Sequence, residues 1–187
     1  MKKNYGEYFS LPNLISFLRL CLVPVYLYLF LRADSDSDYY VAAAVVLASF
    51  FSDFIDGFIA RRYNMITDFG KVLDPVADKL TQAALALSIT FRYSKVKILL
   101  IALIIKELLL GLAGLYMLRR GLKMDGAHMH GKISTVILYA TLFVLLVIPV
   151  PAPVINILIA VCIVAMATSL ILYLKLYYDM LNENRLK

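Results

Sequence analysis

Long apolar runs separated by short polar breaks dominate the chain, and the runs are too long to be buried strands. A helix needs about 20 apolar residues to cross a bilayer, so runs of roughly 18 or more read as membrane spans. Six segments reach or approach that length, at 12–31, 39–62, 74–91, 96–118, 133–150 and 154–177. The pattern predicts an all-α integral membrane protein with six transmembrane helices. A short polar and aromatic lead at 1–11 reads as an interfacial helix on the bilayer surface. No small-residue cleavage site follows the first apolar run, which is therefore expected to span the membrane rather than to be removed. Pro24 interrupts that run. The breaks are acidic at 32–38, polar at 62–73, basic at 92–97, basic and glycine-broken at 119–132, and proline-rich at 149–153. Ala42, Ala43, Ala44, Ala48 and Ser49 in the second run are small enough for close helix packing. Neither an internal repeat nor a low-complexity stretch is visible, and 1–187 reads as one membrane domain.

Composition agrees, because 62% of the 187 residues are hydrophobic and mean hydropathy is +0.80, far above a soluble domain. The net charge of +6 would suggest nucleic acid in a soluble protein. Here the basic residues gather at helix ends, where they report topology, and no nucleic-acid partner is expected. Six spans put both termini on one side. That side collects Lys2, Lys3, Arg61, Arg62, Lys71, Arg119, Arg120, Lys123, Lys132, Arg185 and Lys187, against mainly Arg32, Arg92, Lys95 and Lys97 on the other. The positive-inside rule places the richer side in the cytoplasm, in a multi-pass cell-membrane protein. Cys21 and Cys162 fall inside apolar spans and read as buried small hydrophobes rather than a disulfide.

Against this background the acids of 52–79 stand out. Asp53 and Asp56 lie three apart near the end of the second run, and Asp74 and Asp78 lie four apart at the start of the third, so each pair shares a helical face. Asp74-Pro75 reads as an N-cap followed by proline at the first helical position, which would put Asp78 in the first turn or so. A carboxylate at membrane depth costs roughly 2.5 to 3.5 kcal/mol, so these acids need positive partners. Their oxygens suit hard cations such as Mg²⁺ or Mn²⁺, and four negative charges balance two such ions. Ala60 lies on the acidic face, Gly70 opens the backbone, and Arg61 adds a cation; with metals these describe a pocket for phosphate or pyrophosphate.

Other polar residues divide between functional and structural readings. Arg19, inside the first span, either neutralises the acids or a ligand phosphate, or forms a structural ion pair. Lys79 either pairs with the acids or snorkels. Asp68 reads as an exposed loop carboxylate before it reads as a nucleotide contact. Lys106 and Glu107, mid-span, read as a buried ion pair that locks the bundle. His128 and His130 lack further ligands for zinc and read as loop residues. Arg119, Arg120, Lys123 and Lys132 are the cations an acceptor phosphate would need.

Asp53, Asp56, Gly57, Ala60, Arg61, Gly70, Asp74 and Asp78 fit the pattern D-x2-D-G-x2-A-R-x8-G-x3-D-x3-D at every fixed position. A chance match of eight positions in a chain of this length has a probability of about 10⁻⁸ at average residue usage. The chain thus resembles the CDP-alcohol phosphotransferases. The opening LPNLISFLR, the DPVADK element at 74–79 and Gly131-Lys132 with Thr135 are similar to the phosphatidylglycerophosphate synthase branch; Lys106 stands where that branch has arginine, and Ser134 where it has lysine.

What the resemblance implies is transfer of a phosphatidyl group from CDP-diacylglycerol to sn-glycerol 3-phosphate, with CMP leaving. It implies Asp53, Asp56, Asp74 and Asp78 as ligands of two Mg²⁺ or Mn²⁺ ions and Asp78 as general base. Gly57, Ala60, Arg61 and Gly70 would hold the CDP moiety, while Arg119, Arg120 and Lys132 would hold the acceptor phosphate. A homodimer is expected because relatives form one. Cardiolipin synthases of the same superfamily, which use phosphatidylglycerol, are the alternative, since they share the DPxADK element. An ion transporter is the remote alternative; transporters tend to pair broken helices in internal repeats, whereas here the acids fall in one hairpin.

Overall fold

The computed structural model describes residues 10–63, 67, 69–122 and 129–185, with the side chains of residues 54, 56, 57, 60, 61, 71 and 183–185 outside the description. The expected interfacial helix at 1–11 falls almost wholly outside the described residues. Among those described the chain is helical throughout: α1 (Leu11–Leu31), α2 (Asp36–Arg62), α3 (Gly70–Arg92), α4 (Lys97–Arg119), α5 (Met129–Val147) and α6 (Ala152–Arg185), with one 3-10 turn at Ser94–Val96 before α4.

Four of these segments are long and apolar enough to cross a membrane: Leu11–Leu31, Ser94–Arg119, Met129–Val147 and Ala152–Asn182, with mean hydropathies of 2.1, 2.4, 1.7 and 2.7. At most 33% of the most apolar stretch of each is buried, so most of the hydrophobic surface points outward. That is the inverse of a protein folded in water and the arrangement a lipid solvent requires. The acid-bearing helices α2 and α3 are not among the four.

The chain forms two compact units, Met1–Ser88 and Ile89–Lys187. In the first, α1 packs along α2. Ala42, Val46 and Ser49 recur at helical spacing on α2 and are buried, while Ala44 and Ala48 face outward. Small residues on one face thus let the two backbones approach, and the outward alanines serve no such purpose. Tyr26 of α1 hydrogen-bonds Ser88 of α3, and the edge of Tyr39 meets Phe30 at 5.3 Å. α1 stays helical through Pro24, which removes one backbone donor without ending the helix. Ahead of the 39–62 span, the Ser35 hydroxyl, the Ser35 amide and the Asp34 amide donate to Asp38 Oδ2 at 2.7, 3.0 and 3.2 Å. These bonds hold the Asp38 carboxyl below its usual range.

α3 begins earlier than Asp74-Pro75 implies. Its ladder opens with the Leu73 amide bonded to the Phe69 carbonyl at 2.9 Å, and the Thr67 hydroxyl accepts the Gly70 amide at 2.9 Å. Thr67 therefore performs at the start of α3 the capping that Asp74 was expected to perform. Asp74 and Pro75 sit inside the helix, and Asp78 stands in its third turn, beyond the reach of the N-terminal dipole.

In the second unit α6 packs on both α4 and α5. Gly131 lies so close to Tyr173 that a Cβ there would stand 2.5 Å from the tyrosine hydroxyl and 2.8 Å from its ring. The His130 ring meets the same tyrosine at 4.5 Å. At the opposite end Arg92 Nη1 donates to the Leu146 carbonyl at 2.6 Å, and Lys95 Nζ donates to Asn156 Oδ1 at 3.0 Å. The first bond caps a last-turn carbonyl of α5, and the second ties the turn before α4 to α6. α4 ends in a Schellman motif: the Leu122 amide bonds the Met117 carbonyl at 3.1 Å, the Gly121 amide bonds the Leu118 carbonyl at 2.9 Å, and Gly121 has φ 75°. Cys162 is buried and its thiol meets the Thr141 hydroxyl at 3.2 Å, whereas Cys21 is exposed.

Two measurements test these packing claims. Gly131→Ala should lower the thermal midpoint in detergent by the equivalent of about 1–3 kcal/mol through overpacking, with partial recovery when Tyr173→Leu is added; an unchanged midpoint would mean the ring yields freely. Because the lowered Asp38 value means its bonds persist at any pH above the ordinary value of 3.8 and fail only as pH falls through the lowered one, amide protection at Asp34 and Ser35 should survive down to that pH. Its loss near neutrality would show the bonds are not kept in solution.

Candidate functional site

In the first unit, α1 carries three polar side chains at successive intervals of three: Asn13, Ser16 and Arg19. All are buried, at 1%, 0% and 1% exposure, in a helix otherwise apolar enough to cross a membrane. Buried polar groups are tolerated only when paired, so this stripe has to face partners. The partners are the acids and the turn before α3.

At the near end, the Thr67 hydroxyl donates to Asn13 Oδ1 at 3.1 Å while accepting the Gly70 amide. Gly70 is buried there, and a Cβ on it would stand 2.7 Å from Asn13 Oδ1 and 3.0 Å from the Thr67 hydroxyl. One turn on, Ser16 Oγ donates to Asp74 Oδ1 at 2.5 Å, a closer contact than its 3.1 Å approach to the Pro12 carbonyl. Phe17 stacks on Phe69 at 6.0 Å beside these bonds. At the far end, Arg19 Nη1 lies 2.6 Å from Asp53 Oδ1 and 2.6 Å from Asp78 Oδ1. One nitrogen with two hydrogens thus serves two carboxylates from different helices. The two acidic oxygens can be no further apart than twice that distance.

Exposure divides the cluster into a closed side and an open one. The Arg19 side chain is 2% exposed, whereas those of Asp53 and Asp78 are 49% and 50% exposed. Removing one partner of a fully buried ion pair costs about 3–5 kcal/mol, and half-exposed carboxylates bring that down. The open side presents hard anionic oxygens to any cation that arrives.

Asp53, Asp74 and Asp78 are therefore brought together along one face of α1. The side chains of Asp56, Gly57, Ala60 and Arg61 lie outside the described residues, as do Asp68 and His128. Among the described residues no three acidic, histidine or cysteine side chains form a metal-ligand group; Arg19 and Ser16 are the partners seen. Arg119, Arg120 and Lys132 belong to the second unit and are exposed. Arg120 Nη2 donates to the Tyr116 hydroxyl at 2.9 Å, and its guanidinium lies 5.3 Å from that ring. Lys106 Nζ is 3.5 Å from Glu107 Oε1, with Lys106 buried; these are neighbours on α4, so this pair does not itself lock one helix to another. Sequence reasoning overlooked Asn13 and Ser16. The available signal was their spacing with Arg19, since polar residues at intervals of three in an apolar span mark a face turned from lipid.

A family model described as CDP-alcohol phosphatidyltransferase matches residues 9–174. A Rickettsia typhi protein named CDP-diacylglycerol--glycerol-3-phosphate 3-phosphatidyltransferase is 46% identical over 71 residues, covering 38% of this chain and 39% of that protein, so the chain spans about two fifths of that relative. An Aquifex aeolicus protein of the same name is 34% identical over 129 residues, covering 67% of this chain and 69% of that one. A Streptomyces coelicolor cardiolipin synthase (CMP-forming) is 35% identical over 130 residues, covering 67% and 60%.

The packing at Gly70 yields a direct test. Gly70→Ala should destabilise the protein by about 1–3 kcal/mol, and Asn13→Ala in the same chain should return part of the loss, giving a coupling energy of at least about 0.5 kcal/mol in a double-mutant cycle. Additive effects would show that Gly70 is small for some reason other than Asn13.

Proposed function

We infer the activity from one premise: the chain belongs to the CDP-alcohol phosphatidyltransferase family. The proposed reaction is transfer of the phosphatidyl group of CDP-diacylglycerol to sn-glycerol 3-phosphate, giving phosphatidylglycerophosphate and CMP. The observation that carries the chemistry is the convergence of Asp53 and Asp78, from two helices of the family motif, on one buried guanidinium nitrogen. The choice of acceptor rests on the names of the Rickettsia and Aquifex relatives. The Streptomyces relative supports a second reading, cardiolipin synthesis from phosphatidylglycerol.

The donor set fits a hard divalent cation, being all oxygen, anionic and half open. On this reading Asp53, Asp56, Asp74 and Asp78 hold two Mg²⁺ or Mn²⁺ ions. Bound there, the ions supply neutralisation of diphosphate charge and stabilisation of the leaving phosphate. Gly57, Ala60, Arg61 and Gly70 hold the CDP moiety. Asp78 accepts the proton of the acceptor hydroxyl as that oxygen bonds to the lipid-side phosphorus; the bond from this phosphorus to the bridging oxygen breaks, and CMP departs. Arg119, Arg120 and Lys132 hold the acceptor phosphate. All six helices span the membrane, with the termini and the acids at the cytoplasmic face, and the protein works as a homodimer in the cell membrane.

Purified protein supplied with CDP-diacylglycerol, Mg²⁺ or Mn²⁺ and a panel of acceptors should release CMP with sn-glycerol 3-phosphate and stop when EDTA is added. Product from phosphatidylglycerol alone would transfer the assignment to cardiolipin synthesis. Asp78→Asn should cost about 10²- to 10⁴-fold in turnover, measured on protein that still unfolds cooperatively; near-normal turnover removes it from the base role. Truncating Arg119, Arg120 or Lys132 to alanine should raise the KM for glycerol 3-phosphate about tenfold or more each, and three unchanged KM values would place the acceptor phosphate elsewhere.

A further inference from the structure

The acid cluster already contains a cation that cannot leave it cheaply. Arg19 is 1% exposed, its guanidinium keeps its charge at any physiological pH, and its Nη1 contacts Asp53 and Asp78 at 2.6 Å each. Withdrawing it would strand a buried positive charge and break the ion pairs that link α1 to both acid helices. Any ion that binds these carboxylates therefore does so beside Arg19, from the half-exposed side.

We propose that Arg19 is a resident counter-ion that sets the divalent affinity of the cluster, holding off the second ion until an anionic diphosphate arrives with it. This rests on the reading that Asp53, Asp56, Asp74 and Asp78 hold divalent ions. With Arg19 in place, the four carboxylates carry a net charge of minus three rather than minus four. One divalent ion nearly satisfies that charge, and a second overfills it. The surplus is positive and faces the open side, where a diphosphate would lie. Arg19 thus makes metal loading and diphosphate binding depend on each other, and by linkage each strengthens the other by the same factor.

A merely structural arginine would have the opposite signature. Losing an orienting partner typically costs a metal site about 10- to 100-fold in affinity, so a structural Arg19→Met should bind metal more weakly. In the effective dielectric of a protein, repulsion between a guanidinium and a divalent ion a few ångström away is the larger effect. The counter-ion role therefore predicts tighter binding.

The test is Mn²⁺ binding followed by electron paramagnetic resonance, with CDP as the nucleotide probe. The unaltered protein should take one ion per chain tightly and a second only with CDP. Arg19→Met should take the second ion at least about tenfold more tightly without nucleotide, and its lowered metal-free thermal midpoint should recover on adding Mn²⁺. Arg19→Lys, which keeps the charge, should keep the original pattern. Weaker or unchanged Mn²⁺ binding by Arg19→Met overturns the proposal. If that variant does not fold, two ions bound tightly by the unaltered protein without CDP overturn it equally. No Mn²⁺ bound with or without CDP overturns both this role and the metal reading, whereas the expected binding pattern in a protein that makes no phospholipid overturns the proposed function alone.

Discussion

One buried guanidinium reaching two acids organises the first unit. Arg19 sits in a helix that lipid would otherwise surround, where an unpaired charge costs roughly 2.5 to 3.5 kcal/mol on insertion scales. Its partners Asp53 and Asp78 come from α2 and α3 and are half exposed. The buried charge of Arg19 is the one that needs them. Together they tie α1 to both acid helices, and the site and the fold of this unit rest on the same interaction.

The rest of the stripe follows from the same constraint. Between lipid-facing helices the hydrophobic effect gives little reason to associate, because lipid tails are as apolar as leucine. Specificity then falls to close contacts and hydrogen bonds. Small Ala42 and Ser49 let α2 approach α1, Gly70 lets the turn before α3 come within reach of Asn13, and Ser16 reaches Asp74. The second unit solves its own packing problem in the same way, with Gly131 admitting Tyr173 and Arg92 capping α5.

The acid site has a closed basic floor and an open anionic rim. The apolar outer surface of α1 keeps it in the bilayer, while the half-exposed carboxylates meet water-soluble chemistry. A site of this kind separates the group that positions the acids from the groups that would touch ligand.

Much of this was legible in the residues themselves. Apolar runs gave the six helices, because a membrane helix must satisfy its own backbone, although α6 runs past the expected end at 177 to Arg185. The spacing of Asp53, Asp74 and Asp78 marked the site and its family. Sequence erred at Asp74-Pro75, where a good capping pair lies inside α3 because Thr67 had already taken that duty, and local propensity cannot see a competing cap. Only the tertiary structure showed which acids Arg19 meets, and only it drew Asn13 and Ser16 into the site. The reason is physical: a polar residue in an apolar helix announces that it needs a partner, but which partner depends on distances across helices that no spacing along the chain encodes.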